Sequence, residues 1–285
     1  MAYDLKVLEE GCKAYKIALS EVQKEQFIRY YELLVEWNKV MNLTGITEFQ
    51  EVLTKHFLDS LSIVKAVDME KIHTCIDVGT GAGFPGIPLK IAFPHLQITL
   101  LDSLKKRLNF LDTVIEELKL EEICTVHGRA EDGARKAEHR EQYDLSVSRA
   151  VSRLASLCEL CMPYVKEGGY FISYKSGKAQ EELTEASKAI FVLGGKLDKT
   201  EAFQLFGTDM ERTLVVVEKR KNTKAVSKKS RNTCKRADFI KRIKNKRIKE
   251  KEPEAVHDRI NHKAAFRLFF TEKTHTYLIF ITFFP

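Results

Sequence analysis

Cys75-Ile-Asp77-Val-Gly79-Thr-Gly81-Ala-Gly83-Phe84-Pro-Gly86-Ile-Pro-Leu89-Lys90 is the stretch on which the reading of this chain turns. Ile76 and Val78 flank Asp77 in a short apolar run, the pattern of a buried strand. Gly79, Gly81, Gly83 and Gly86 follow within eight positions, and Phe84, Ile87, Leu89 and Ile91 open an apolar helix behind them. Where Cβ atoms are missing, a ligand can lie against the backbone, and glycine reaches the positive φ angles of a tight strand-to-helix turn. The first amides of the following helix have no helical partner and are expected to face whatever occupies the loop. The spacing predicts a cofactor loop of the nucleotide-binding kind.

Two signatures overlap in it. Gly81-x-Gly83-x-x-Gly86 fits the dinucleotide fingerprint, and Asp77-x-Gly79-x-Gly81-x-Gly83 fits the loop of S-adenosylmethionine-dependent methyltransferases. Either match alone also suits a purely structural turn. A second carboxylate adds weight. Ile98-Thr-Leu-Leu-Asp102 reads as the next strand and ends 25 residues after Asp77, where doubly wound folds hold a ribose diol. Asp102 is equally placed to cap the helix that begins near Leu104.

Outward from the loop the chain alternates. Strands are expected at 74–78, 97–101, 123–127, 144–148 and 168–174, with helices at 85–93, 104–119, 151–164 and 178–193. Such alternation gives a mostly parallel sheet with helices on both faces. Strands 196–206 and 212–219 have no helix between them and should form an antiparallel hairpin. That ending separates the two cofactor classes, because dinucleotide domains finish on parallel strands. The expected fold is α/β and Rossmann-like, seven-stranded with a terminal antiparallel hairpin.

Ligands of open α/β sheets bind beyond the carboxyl ends of the strands. Gly128-Arg-Ala130-Glu131-Asp132 follows the third strand and Ser148-Arg149-Ala150 the fourth. Ala130 and Glu131 are expected along an adenine, and Arg149 at the mouth, near the cofactor's amino-acid end or the substrate. The plainer readings are an acidic helix start and a surface ion pair.

Residues 4–66 read as helices. In 21–40 the apolar positions Val22, Phe27, Tyr30, Leu33, Leu34 and Trp37 recur at helical spacing, with Gly45 as the expected stop. A second helix from Thr47 carries His56, which on such a helix is more often a hydrogen-bonded core residue than a catalyst. The division expected is a helical region at 1–66, the cofactor domain at 67–223 and a tail at 224–285.

Composition bounds the rest. The 285 residues suffice for one large domain and a smaller one. The start of the chain lacks the basic and apolar run of a signal peptide, and no stretch has the ~20 apolar residues of a membrane span, so a cytoplasmic protein is expected. Cysteines 12, 75, 124, 158, 161 and 234 are scattered; Cys158-x-x-Cys161 has no second pair or histidine cluster, so reduced core thiols rather than a zinc site are expected. The net charge of +7 is uneven. Residues 224–285 hold 17 Lys and Arg against 6 Asp and Glu, and the rest 30 against 34.

Taken together, Trp37-Asn38…Asn42-Leu43-Thr44, His56…Asp59-Ser60-Leu61, the glycine stretch ending Phe84-Pro-Gly-Ile-Pro-Leu89, Gly128–Glu131 and Ser148–Ala150 resemble one family. It is that of the bacterial guanine-N7 methyltransferases of small-subunit (16S) ribosomal RNA, RsmG or GidB, and the resemblance covers residues 1 to about 223. It implies S-adenosylmethionine as cofactor, contacts from Gly79, Phe84, Ala130, Glu131 and Arg149, and Asp102 at the ribose. Asp77, Gly81 and Gly83 complete the candidate cofactor set. Guanine N7 carries a lone pair and no proton, so the reaction needs alignment and exclusion of water rather than a strong base. Arg149, Lys175 and His56 are candidates, by analogy, for positioning the RNA. The family has Leu-Lys-Gly where this chain has Tyr174-Lys175-Ser176-Gly177, which unsettles the placement of Lys175. The partner implied is 16S RNA or the small subunit, with no metal, no membrane and a monomeric enzyme.

The resemblance stops at Thr223. Codons for residues 224–240 can be chosen so that a one-nucleotide shift reads RQYPRKAGTPAKEPIL and then a stop, close to the family's usual basic ending. The tail is therefore expected to be an out-of-frame read-through without stable structure; a genuine basic RNA-binding extension is the competing reading. An NAD-dependent oxidoreductase and an RNA-binding module without catalysis are the alternatives for the whole chain. The first lacks a matching second half, and the intact loop speaks against the second.

Overall fold

The glycine stretch lies at the centre of a seven-stranded sheet. A computed structural model describes residues 3–149, 152–177 and 179–223; the expectations for the tail, Cys234 and Ala150 lie outside the described residues. The strands are β1 (Thr74–Val78), β2 (Gln97–Asp102), β3 (Ile123–His127), β4 (Tyr143–Arg149), β5 (Val165–Ser176), β6 (Gly195–Gln204) and β7 (Glu211–Lys219). They lie in the order β3-β2-β1-β4-β5-β7-β6. The first five pair in parallel, while β7 runs antiparallel to both β5 and β6. The order reverses between β1 and β4, and the loop after β1 opens at that switch point.

Strand parity sorts the two faces. Cys75, Asp77, Leu100, Val147, Tyr174 and Leu214 lie on one side, and Ile76, Val78, Leu101, Phe171 and Val215 on the other. Helices α8 (Leu154–Cys161) and α9 (Ala179–Val192) cover the second face through Leu157, Ala186 and Ile190. The first is covered by α5 (Gly86–Ala92), α6 (Lys105–Glu117) and the N-terminal helices. Helices α1 (Lys6–Ala14), α2 (Glu21–Met41), α3 (Phe49–Val52) and α4 (Asp59–Leu61) thus share one apolar core with the sheet.

Local sequence explains α2. Ser20 and Gln23 form a capping box: Gln23 N donates to Ser20 Oγ at 3.3 Å and Ser20 N to Gln23 Oε1 at 2.7 Å. The helix ends at Met41, short of the expected stop at Gly45. Asn42 takes the left-handed conformation (φ 49°) that asparagine tolerates, and Asn38 Oδ1 accepts the Thr44 amide at 2.9 Å, so the chain turns early. Val22, expected on the buried face, is 64% exposed. Beyond α3 the helix widens into a π-helix over Leu53–Leu58, a form that often marks functional sites, and His56 lies in it. One further expectation needs correction: Cys124 is exposed rather than a core thiol, because the single-turn helix α7 (Ala130–Gly133) after β3 leaves its side of the sheet edge uncovered.

Tyr30 of α2 is fully buried, and its hydroxyl donates to the Ala82 carbonyl of the glycine loop at 2.5 Å. Its ring packs on Phe57 and Phe84. A Cβ on Gly83 would come within 2.8 Å of that hydroxyl, so loop and helix fit only with glycine there. Tyr30→Phe should lower the unfolding free energy by about 1–2 kcal/mol, because a buried carbonyl loses its donor. An unchanged urea midpoint would contradict this.

Candidate active site

The loop from Gly79 to Pro85 turns on three glycines, Gly79, Gly81 and Gly83, with φ of 73°, 63° and 97°. A side chain at any of these would be strained. Beside Gly81 a Cβ would meet nothing within 4 Å, so the outer side of the loop is open.

Asp77 lies under this loop, fully buried. Its Oδ2 accepts the Thr80 hydroxyl at 2.7 Å and the Gly86 amide at 2.9 Å. The amide expected to stand free at the start of α5 is therefore taken, since Gly86 N donates to Asp77. Its other oxygen, Oδ1, is buried with no hydrogen-bond partner among the described residues. Burial pushes the carboxyl up to about 6, against the Thr80 and Gly86 hydrogen bonds and the Arg149 charge; Asp102 adds to the rise.

Asp102 ends β2 beside the loop. Its Oδ2 accepts the Gly81 amide at 3.0 Å and faces Arg107 Nη1 at 3.4 Å, while Oδ1 accepts the Leu104 amide at 2.9 Å. It therefore shapes the turn into α6 and fixes the glycine loop together. Next along, β3 brings Ala130 and Glu131 to the same end of the sheet, with Gly128 N donating to the Asp102 carbonyl at 3.1 Å. The Ala130 carbonyl accepts Tyr164 Oη at 2.7 Å. Glu131 faces Arg129 Nε at 3.2 Å; burial works to raise its pKa, but its own amide and Arg129 outweigh this and hold it low.

Arg149, at the end of β4, lies on the same face as Asp77. Its guanidinium carbon stands 4.9 Å from the centre of the Phe84 ring, and Nη1 donates to Asp59 Oδ2 at 2.9 Å. Asp59 Oδ1 accepts Arg212 Nε at 2.8 Å, so one buried carboxylate joins two arginines from β4 and β7. His56 stacks on Phe84 at 4.5 Å, and its Nε2 meets Thr44 Oγ1 at 2.8 Å. Burial, followed by the Arg149 charge, drops its pKa to about 3, so the ring is neutral at physiological pH.

The structure thus brings Asp77, the glycines, Phe84, Asp102, Ala130, Glu131, Arg149 and His56 to one end of the sheet, around the switch point. Lys175 stands apart. It follows Tyr174, the register partner of Arg149, and so projects from the opposite face. There its amine donates to the Ser152 carbonyl and to Glu182, each at 2.8 Å. Asp59, Arg212, Tyr30 and Thr80 were not singled out from sequence. Asp59 had a signal, since it lies three residues from His56 in a quoted motif; Arg212 had none.

A fold with this strand order, this loop and this pair of strand-end carboxylates defines a Rossmann-like S-adenosylmethionine-dependent methyltransferase. The comparisons with known proteins are narrower. Residues 23–214 match the GidB family model, described as rRNA small subunit methyltransferase G. Proteins called ribosomal RNA small subunit methyltransferase G are 58% identical over 214 residues in Lachnoclostridium phytofermentans, covering 75% of this chain and 88% of that protein. In Clostridium botulinum (strain Loch Maree) the figures are 49% over 217 residues, 76% and 91%. In Brevibacillus brevis they are 50% over 210 residues, 74% and 88%. The chain belongs to the GidB family of small-subunit ribosomal RNA methyltransferases. No helix among the described residues is long and apolar enough to cross a membrane.

A neutral His56 has a measurable consequence. Its ring nitrogen shifts should stay flat between about pH 5 and 8, whereas a midpoint near 6.5 would show a solvated ring. Because the unfolded chain takes up the proton that the folded ring refuses, this residue's share of stability should fall as pH drops from about 6.5 toward 3.

Proposed function

We propose that the chain transfers a methyl group from S-adenosylmethionine to N7 of one guanine in 16S ribosomal RNA. The observation that carries the cofactor's placement is the unpartnered, buried Asp77 Oδ1 beneath an open glycine loop. A buried carboxylate oxygen without a donor is costly, and a ligand's ammonium would satisfy it. The residues present fit the group. Asp77 would receive the ammonium, Gly79, Gly81, Gly83 and Phe84 the amino-acid chain and sulfur, Asp102 the ribose hydroxyls, and Ala130 with Glu131 the adenine.

S-Adenosylmethionine supplies an electrophilic methyl group on a sulfonium. The chain's own part is then positioning. Guanine N7 has no proton to lose, so the neutral His56 is not asked to act as a base. Stacked on Phe84 beside Arg149, it offers a flat wall to an incoming base, while Arg149 supplies a positive charge at the mouth. Lys175 donates to Glu182, whose carboxylate also accepts the Leu154 amide at 2.6 Å, and so contributes to RNA positioning only by bracing α8 against α9. The proposal divides the chain into helices at 1–66 that wall the mouth, a cofactor domain at 67–223, and a basic tail at 224–285. It takes the enzyme to be a cytoplasmic monomer without a metal, acting on 16S RNA or the small subunit.

Two measurements test it. S-adenosylhomocysteine should raise the melting temperature, and NAD should not; the reverse would contradict the proposed cofactor site. Ribosomal RNA from cells lacking the gene should lose one N7-methylguanine from 16S RNA. An unchanged content would remove the proposed activity.

A further inference from the structure

We propose that Asp59 is a positioning residue for the cofactor site: its carboxylate holds the Arg149 guanidinium away from Asp77, keeping Asp77 Oδ1 open for the ligand's ammonium. The inference rests on the cofactor reading above. It adds a role for a side chain on the N-terminal helices that does not itself touch the cofactor.

Arg149 has two carboxylates to choose between. Asp77 is the register neighbour of Val147, and Arg149 lies two residues further along the same face of β4. One strand spacing across and two residues along place the two Cα atoms roughly 8 Å apart, a separation an extended arginine side chain covers. Asp77 has an unpartnered oxygen to offer, and the Arg149 charge already acts on it through space. Left alone, a guanidinium facing an orphaned carboxylate oxygen would close on it. The arginine is instead paired with Asp59 at 2.9 Å and lies over Phe84.

The rival partner is held firmly. The Asp59 carbonyl accepts Ser62 Oγ at 2.6 Å, and the next residue's carbonyl accepts Tyr174 Oη at 2.7 Å. Arg212 occupies Asp59 Oδ1, leaving Oδ2 for Arg149. The arrangement assigns one carboxylate to two fixed arginines and leaves the other for a cation that arrives from outside. Thr80 Oγ1 and the Gly86 amide donate only to Oδ2 of Asp77, so neither occupies Oδ1; Asp102, itself an acceptor, is turned to the Gly81 and Leu104 amides.

Calorimetric titration of S-adenosylhomocysteine into wild type, Asp59→Asn, Arg149→Met and the double variant tests this. Asp59→Asn should weaken binding about tenfold or more in the presence of Arg149, because the arginine, left with only long contacts to the Lys55 and His56 carbonyls at 3.4 and 3.5 Å and to His56 Nδ1 at 3.4 Å, turns to Asp77 and blocks the site. In the Arg149→Met background the same change should cost less than about twofold, since no rival remains. Equal losses in both backgrounds would make Asp59 a mere brace, and no loss with Arg149 present would remove the role altogether; either overturns the proposal. A wild type that takes up no S-adenosylhomocysteine would overturn the cofactor reading instead, so the two failures are distinct. A crystal structure of the wild-type complex decides the matter without a variant. Arg149 on Asp59 with the ligand's ammonium on Asp77 Oδ1 is expected, and Arg149 on Asp77 Oδ1 ends the idea.

Discussion

A single buried carboxylate organises this end of the molecule. Asp77 Oδ2 ties the start of α5 to the end of β1 through Gly86, and the crown of the loop through Thr80. The loop's three left-handed glycines keep their shape because Asp77 fastens Thr80 and the Gly86 end, and Asp102 holds Gly81 between them. The cost of the arrangement is an acid in an apolar interior with one oxygen unpaired, which is why its pKa rises to about 6. That unpaired oxygen at the switch point of the sheet is what the proposed cofactor placement rests on.

The N-terminal helices finish what the sheet begins. Tyr30 holds the loop from behind, Phe57 and His56 pack around Phe84, and Asp59 gathers Arg149 and Arg212. Asn38, Thr44 and His56 form a hydrogen-bonded line from the end of α2 to the same spot. The Trp37-Asn38…Asn42-Leu43-Thr44 motif thus serves this wall: Asn42 turns the chain and Asn38 fixes the turn, so that Thr44 meets the His56 ring.

Residues whose partners are near in sequence were legible in advance. Asp77, the glycines and Asp102 announce themselves by spacing, and the alternation of elements placed Glu131 and Arg149 at the strand ends. The closing hairpin was legible from the missing helix between β6 and β7. Contacts made across long separations were not. Arg212 reaches Asp59 over 153 positions, with no local pattern to betray it. The face on which Lys175 lies was not legible either: parity relative to Tyr174 sets it opposite Arg149, and that needs the register between β4 and β5. The early stop of α2 at Asn42 was hidden by the more obvious breaker, Gly45.

The proposed cofactor site depends most on the unpaired oxygen of Asp77. Calorimetry of S-adenosylhomocysteine binding in buffers of different ionisation enthalpy tests it directly. A carboxyl that titrates at about 6 in the free protein must be ionised to hold an ammonium, so near that pH binding should release roughly half a proton. The Asp77→Asn variant should release none. Wild-type binding without proton release near that pH, or equal release by the variant, would contradict the account.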